Sequence, residues 1–273
     1  DYCDAMERIL SERRTLVGKL AQYFRAQYST VNNDSEAQKL ALTTLKPLLP
    51  VACSPKQLIH VLQEVERLEL PAEALVFLPN GFANHSEPVK LINCTPRNEL
   101  DLLPAMLYES LDLPINEVKS TVAQWPYEVK STLFQDYLRR YPNGKALAAA
   151  QYEWDFLSEL TTLQDMPEAL RATARLQLLT PRYGYTMPPE VEAAGLADEY
   201  DDIFDQSLQL QSTLQARGYT AESQYATLLG HKQRWSVVLS IAEIKHLKSF
   251  TAAAYEPLIA RVKEIHPLLV GIS

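Results

Sequence analysis

Residues 233–241, QRWSVVLSI, constrain the fold more than any other stretch of the chain. β-branched and aromatic side chains crowd there, as they do in a strand with a buried face. Ser240-Ile-Ala-Glu243 overlaps its end with the spacing of a capping box. A strand therefore hands over to a capped helix without a loop. Any fold for this chain must place a sheet and a helix on either side of Ser240.

Helical patterns dominate elsewhere. Met6, Ile9, Leu10, Leu16, Val17, Leu20, Tyr23, Phe24 and Tyr28 form one stripe. A second helix is expected from near Asp34, and a third after Ser54-Pro55, an N-cap followed by a first-turn proline. Residues 78–88, LPNGFANHSEP, are polar and turn-rich, and they divide the chain into 1–87 and 88–273. VKLIN at 89–93 reads as a short strand. Residues 148–160 alternate, with Tyr152, Trp154 and Phe156 on one face; they read as a strand or as a strand running into a helix. Further helices are expected at about 98–111, 115–123, 126–140, 167–179, 190–195, 197–217 and 252–266. Helices with a few distant strands indicate an α+β fold, mostly helical, with a small mixed or antiparallel sheet. Strands near 89–93, 150–156 and 233–240 are expected to share that sheet.

Composition narrows the function. The 273 residues carry a formal net charge of −8, which disfavours a general electrostatic grip on DNA or RNA. A local site for a nucleotide remains open. The 8 glycines form neither a dinucleotide fingerprint nor a P-loop. No apolar run approaches a membrane span. Cys3, Cys53 and Cys94 are odd in number and far apart, which suggests reduced thiols in a cytoplasmic protein and no metal site. The histidines show no ligand-like pairing. His231-Lys232-Gln233-Arg234 reads as a basic cluster in a solvated turn, with a phosphate contact as the sharper alternative. Glu199-Tyr200-Asp201-Asp202 reads as a solvated helix face.

Residues 179–190, LTPRYGYTMPPE, place a guanidinium and two phenols in a bend closed by prolines. Pro181 biases Thr180 away from helix, and Gly184 permits a turn that a side chain would obstruct. Arg182 could bind an anion through its planar fork. It could equally pair with Glu190 or Glu192, while Tyr183 and Tyr185 pack the corner.

The order and spacing of these segments resemble the flavin-dependent thymidylate synthases, or thymidylate synthase complementing proteins. PVKLINCTPRNE, YEWDFLSEL, LTPRYGYTMPPEVEAAGL, the long LQARGYTAESQYATLLGHKQRWSVVLSIAEIKHLKSF and the closing AAAYEPLIARVKEIHPLL carry the likeness over 88–270. The match is strongest to members with two tandem copies, so that 1–87 would hold the tail of a first copy. The resemblance implies a thymidylate synthase complementing protein-like fold. It implies conversion of dUMP to dTMP with methylenetetrahydrofolate, FAD and NADPH, in a homo-oligomer whose sites lie between subunits. It places Thr180, Arg182 and Tyr183 at the substrate, and Arg171 or Arg175 where the family's Arg-His-Arg holds the flavin.

Departures accompany the likeness. EALRATAR at 168–175 contains no histidine. Leu178 stands where an acid is expected, and Gln224 lies near the place of an arginine. Lys248 is the nearest cation to another expected arginine, near Ser249–Phe250. No nucleophile–base pair is evident, so no catalytic residue is assigned. A complete site is not expected in this chain alone; it would be half of a site paired with another copy, or a degenerate one. The alternative from a different class is a non-catalytic helical interaction or assembly module.

Overall fold

A computed structural model describes residues 2–28, 31, 33–45, 71, 74, 87–247 and 252–270. The expected helix after Ser54-Pro55, most of the 78–88 stretch, and Lys248 with Ser249–Phe250 lie outside those residues. In chain order, the elements are α1 (Tyr2–Gln27), α2 (Asp34–Thr44), β1 (Val89–Thr95), α3 (Leu103–Leu107), α4 (Ile115–Ala123) and α5 (Tyr127–Arg140). They continue with β2 (Gln151–Glu159), α6 (Leu160–Gln164), α7 (Glu168–Arg171), β3 (Arg175–Leu176), α8 (Pro189–Ala193) and α9 (Ala197–Ala216). The last are β4 (Lys232–Ser240), α10 (Ile241–Leu247), α11 (Ala252–Ile265) and α12 (Pro267–Val270). The fold is α+β, with one four-stranded sheet in the order β1-β2-β4-β3.

The three expected strands do share that sheet, and β4 runs into α10 as the sequence requires. Ser240 N–H and Oγ both donate to Glu243 Oε2 at 2.7 Å, and Glu243 N–H donates back to Ser240 Oγ. The capping box is thus made in full. The ambiguous 148–160 stretch is a strand that passes directly into α6.

One expectation is corrected. Residues 167–179 do not form a helix; α7 stops at Arg171. Thr173 Oγ1 turns back onto the Leu170 carbonyl at 2.9 Å, which offers the helix end a local substitute for continuing. The chain then becomes extended, and Gln177 N–H bonds the Arg234 carbonyl at 3.1 Å. Sheet pairing outweighs the helical preference of EALRATAR, which is a weak prior.

The chain divides into two compact units. The first comprises 1–86, 157–163 and 176–234. Its core gathers Ile9, Leu16, Leu20 and Phe24 of α1, Ala37 and Ala41 of α2, and Tyr200, Ile203 and Phe204 of α9. The α1 residues are stripe positions read from the sequence, whereas Tyr200, read there as part of a solvated face, is buried; burying such faces supplies most of the helices' stability. Asn33 caps α2 by accepting from Glu36 N–H at 2.9 Å.

The second unit comprises 87–156, 164–175 and 235–273. Here β1 pairs antiparallel with β2, Leu91 opposite Trp154 and Cys94 opposite Tyr152, with an irregularity between Leu91 and Asn93. Tyr152, Trp154 and Phe156 are all buried, as the alternation requires. Phe156 stacks on Trp235 with ring centroids 4.0 Å apart. The chain's last helices are tied in by polar contacts. Tyr152 Oη bonds His266 Nδ1 at 2.7 Å, and His266 Nε2 bonds the Arg97 carbonyl. The buried Glu99 carboxylate accepts from Leu268 and Leu269 N–H, while burial pushes its pKa up.

Candidate functional site

In the first unit the 179–190 corner is built from its prolines outward. Thr180 is extended, as the residue before a proline must be, and it caps a single turn of Pro181–Tyr183 by accepting from Arg182 N–H at 3.2 Å. Gly184 closes the turn at φ 73°, a conformation that side chains resist. Lys232 N–H then bonds the Gly184 carbonyl at 2.8 Å, and Pro189 opens α8.

Three buried glutamines clamp the entry to this corner. Gln224 Oε1 accepts from Leu179 N–H at 3.1 Å. Gln233 makes two bonds to Thr180, its Oε1 accepting from N–H at 3.1 Å and its Nε2 donating to the carbonyl at 2.9 Å. Gln211 Nε2 donates to the Leu179 carbonyl, and its Oε1 accepts the Thr180 hydroxyl proton at 3.2 Å. Side-chain amides thus replace a strand ladder for two consecutive residues, and no backbone polar group of Leu179 or Thr180 is orphaned. The clamp was not read from the sequence. Its one signal was Gln224, standing near the place of an expected arginine.

The expected substrate-side residues are brought together on this turn. The proton of the Thr180 hydroxyl is used by Gln211. Arg182 is exposed, and its Nη2 donates to Gln215 Oε1 at 2.9 Å. Tyr183 Oη donates to Gln177 Oε1 at 3.1 Å, and the Arg234 guanidinium lies 5.8 Å from the Tyr183 ring centre. Tyr185 packs: its ring stacks on Phe204 at 3.9 Å, and its hydroxyl donates to Asp201. Burial and that carboxylate raise the Tyr185 pKa.

The sequence reading of 231–234 as a solvated basic turn is corrected. His231 and Gln233 are both 1% exposed, because 232–240 is a strand whose alternate side chains face inward. His231 Nδ1 accepts from Leu228 N–H at 2.9 Å, and burial pushes the imidazole pKa down to about 3. It is neutral and carries no charge for a phosphate.

The two expected flavin-side arginines belong to the second unit. Arg171 is exposed, and its Nη1 bonds the Gln164 carbonyl at 3.1 Å. Arg175 lines a groove of about 450 Å³ with Gln151 and Glu153 of β2, Ser236 and Val238 of β4, and Glu243 of α10. A flavin diphosphate needs cations or N–H groups at its phosphates. This groove offers one guanidinium against two carboxylates, so its donor set does not fit that group.

The clamp can be tested by Gln233→Leu. This change leaves the Thr180 N–H and carbonyl buried without partners, at a cost of about 1–3 kcal/mol for each. Urea unfolding followed by circular dichroism should show that loss, while Gln215→Ala, at the exposed Arg182 contact, should stay within about 0.5 kcal/mol of the parent. Equal stability of the two variants would remove the clamp from the account.

The sequence matches no family model and no curated protein. The structure is similar to the crystal structure of a UMP/dUMP methylase, PolB, from Streptomyces cacaoi, bound with 5-Br dUMP. The TM-score is 0.52 at 10% sequence identity, covering 67% of this chain and 92% of that chain. The likeness is therefore one of fold: the chain shares the mostly helical α+β fold of that methylase.

Proposed function

We propose that this chain is a divergent flavin-dependent thymidylate synthase-like protein whose nucleotide site is incomplete in the chain alone. The clamp at Leu179–Thr180 carries the reading. The groups that the resemblance would offer to a nucleotide are engaged within the protein, and a buried glutamine, Gln224, serves the backbone near the place where an arginine was expected. Arg182 is then the strongest candidate for an anion at this corner, with Thr180 and Tyr183 as its framing.

On this reading the missing cations come from a paired catalytic copy or from a homo-oligomer, and residues 1–87 hold the tail of a first copy ahead of a domain at 88–273. The protein belongs in the cytoplasm with its nucleotide substrates. FAD would be held by the assembly, with Arg171 adding at most a peripheral charge. When bound, the flavin supplies the redox chemistry, and the residues of this chain supply position and charge.

The test is an assay of the isolated chain with dUMP, methylenetetrahydrofolate, FAD and NADPH. No measurable dTMP is expected, because several absent charge-assisted contacts at about 1.5–3 kcal/mol each would weaken binding by orders of magnitude. An absorption spectrum of the purified chain should lack the flavin band. Robust turnover by the isolated chain would overturn the reading.

A further inference from the structure

The groove that fails to suit a diphosphate has unspent recognition capacity of another kind. Buried Tyr152 and Trp154 face the core, so alternation puts Gln151 and Glu153 on the opposite, open face of β2. Ser236 and Val238 occupy the same face of β4, and Val238 is 47% exposed. Arg175 comes from β3, on the other side of β4 from β2. All of these residues belong to the second unit.

Among the described residues, the side chains of Gln151, Glu153, Arg175 and Ser236 make no hydrogen bond or ion pair. Glu243, by contrast, is occupied by the Ser240 cap. The groove therefore presents a free carboxylate on one wall and a free guanidinium on the other. They make no ion pair with each other; β4 lies between their strands, and two strand spacings separate their backbones by roughly 10 Å.

We propose that this groove binds a small zwitterion, a molecule carrying an ammonium group and a carboxylate on the scale of a dipeptide. An anion alone would meet Glu153, and a cation alone would meet Arg175. A molecule with both charges meets each with its complement. An extended dipeptide spans roughly 7 Å, and a hydrogen bond at each end brings the reach to about 12 Å, which suits two long side chains that stand up from strands roughly 10 Å apart and splay slightly. Glu153 takes the ammonium group, and the planar fork of Arg175 takes the carboxylate. Gln151 and Ser236 meet the peptide group, and Val238 gives the apolar floor. The groove volume, about 450 Å³, lies within the range of small-molecule sites. This inference stands apart from the thymidylate synthase reading and does not need it.

Isothermal titration of the full chain with Ala-Ala, N-acetyl-Ala-Ala and Ala-Ala-amide separates the two charges. Ala-Ala should bind about tenfold tighter than either blocked form, the order expected for one charge-assisted bond. Glu153→Gln should erase the preference over the acetylated form, and Arg175→Gln the preference over the amide. Both side chains lie on an open face, and circular dichroism would confirm that each variant folds. Failure of Ala-Ala to bind, or equal binding of all three, overturns the proposal. So does FAD binding tighter than Ala-Ala and lost on Arg175→Gln. The dipeptide outcomes do not bear on dUMP turnover, so the two readings fail separately.

Discussion

Trp235→Ala should destabilise the protein by about 3–5 kcal/mol, a large share of the stability of an ordinary domain. Trp235 is 1% exposed and lies flat against Phe156, with 2° between the ring planes. The substitution removes a large buried surface and leaves a cavity beside a stacked ring, and both losses add. Val238→Ala is the control, three residues along the same strand but on its open face. It should change stability by less than about 0.5 kcal/mol. Thermal unfolding followed by far-ultraviolet circular dichroism separates the two. A small effect at Trp235 would mean that the β2–β4 face is not the core of the second unit.

Acid should weaken the protein through His231. Burial holds this imidazole neutral, with its pKa pushed down to about 3 from an ordinary 6.5. Above the ordinary value the group is neutral in folded and unfolded chains alike, and its contribution to stability is fully present. As pH falls through that value, the unfolded chain takes up a proton that the folded chain refuses. Stability is then lost by up to about 1.4 kcal/mol per pH unit until the folded value is reached. Urea unfolding at pH 7 and at pH 5 should differ by about 2 kcal/mol more for the parent than for His231→Gln. Glutamine keeps an acceptor for Leu228 N–H but cannot titrate. Other groups titrate in both proteins and cancel in the comparison. Identical pH dependence would exclude His231 as the source.

Local patterns made much of the fold legible. Alternation at Tyr152, Trp154 and Phe156 identified a half-buried strand, and the Ser240–Glu243 spacing located a junction to the residue. The α1 stripe identified the side chains that form the first unit's core. These signals are short in range, and each is satisfied by neighbours in sequence. Residues 167–179 misled because the partner that makes them extended, Arg234, lies far along the chain. The corner was legible as a corner, since Pro181 and Gly184 act on their own backbone. Its clamp was not: Gln211, Gln224 and Gln233 reach Leu179 and Thr180 across 31 to 53 residues. A polar side chain that serves a distant backbone looks, in sequence, like any surface glutamine. The groove was hidden for the same reason, since Gln151, Glu153, Arg175 and Ser236 meet only once three strands are assembled.

The two loop-free joins, at Glu159–Leu160 and Ser240–Ile241, limit how this chain can vary in length. A residue added within a strand reverses which side chains face inward from that point on. One added within the following helix turns its apolar stripe by roughly 100°. A loop would absorb such an error, but neither join has one. Insertions and deletions are therefore barred from 151–164 and from 232–247. Variation in length is left to the turns elsewhere, so these two spans act as fixed rulers against which homologous chains can be aligned.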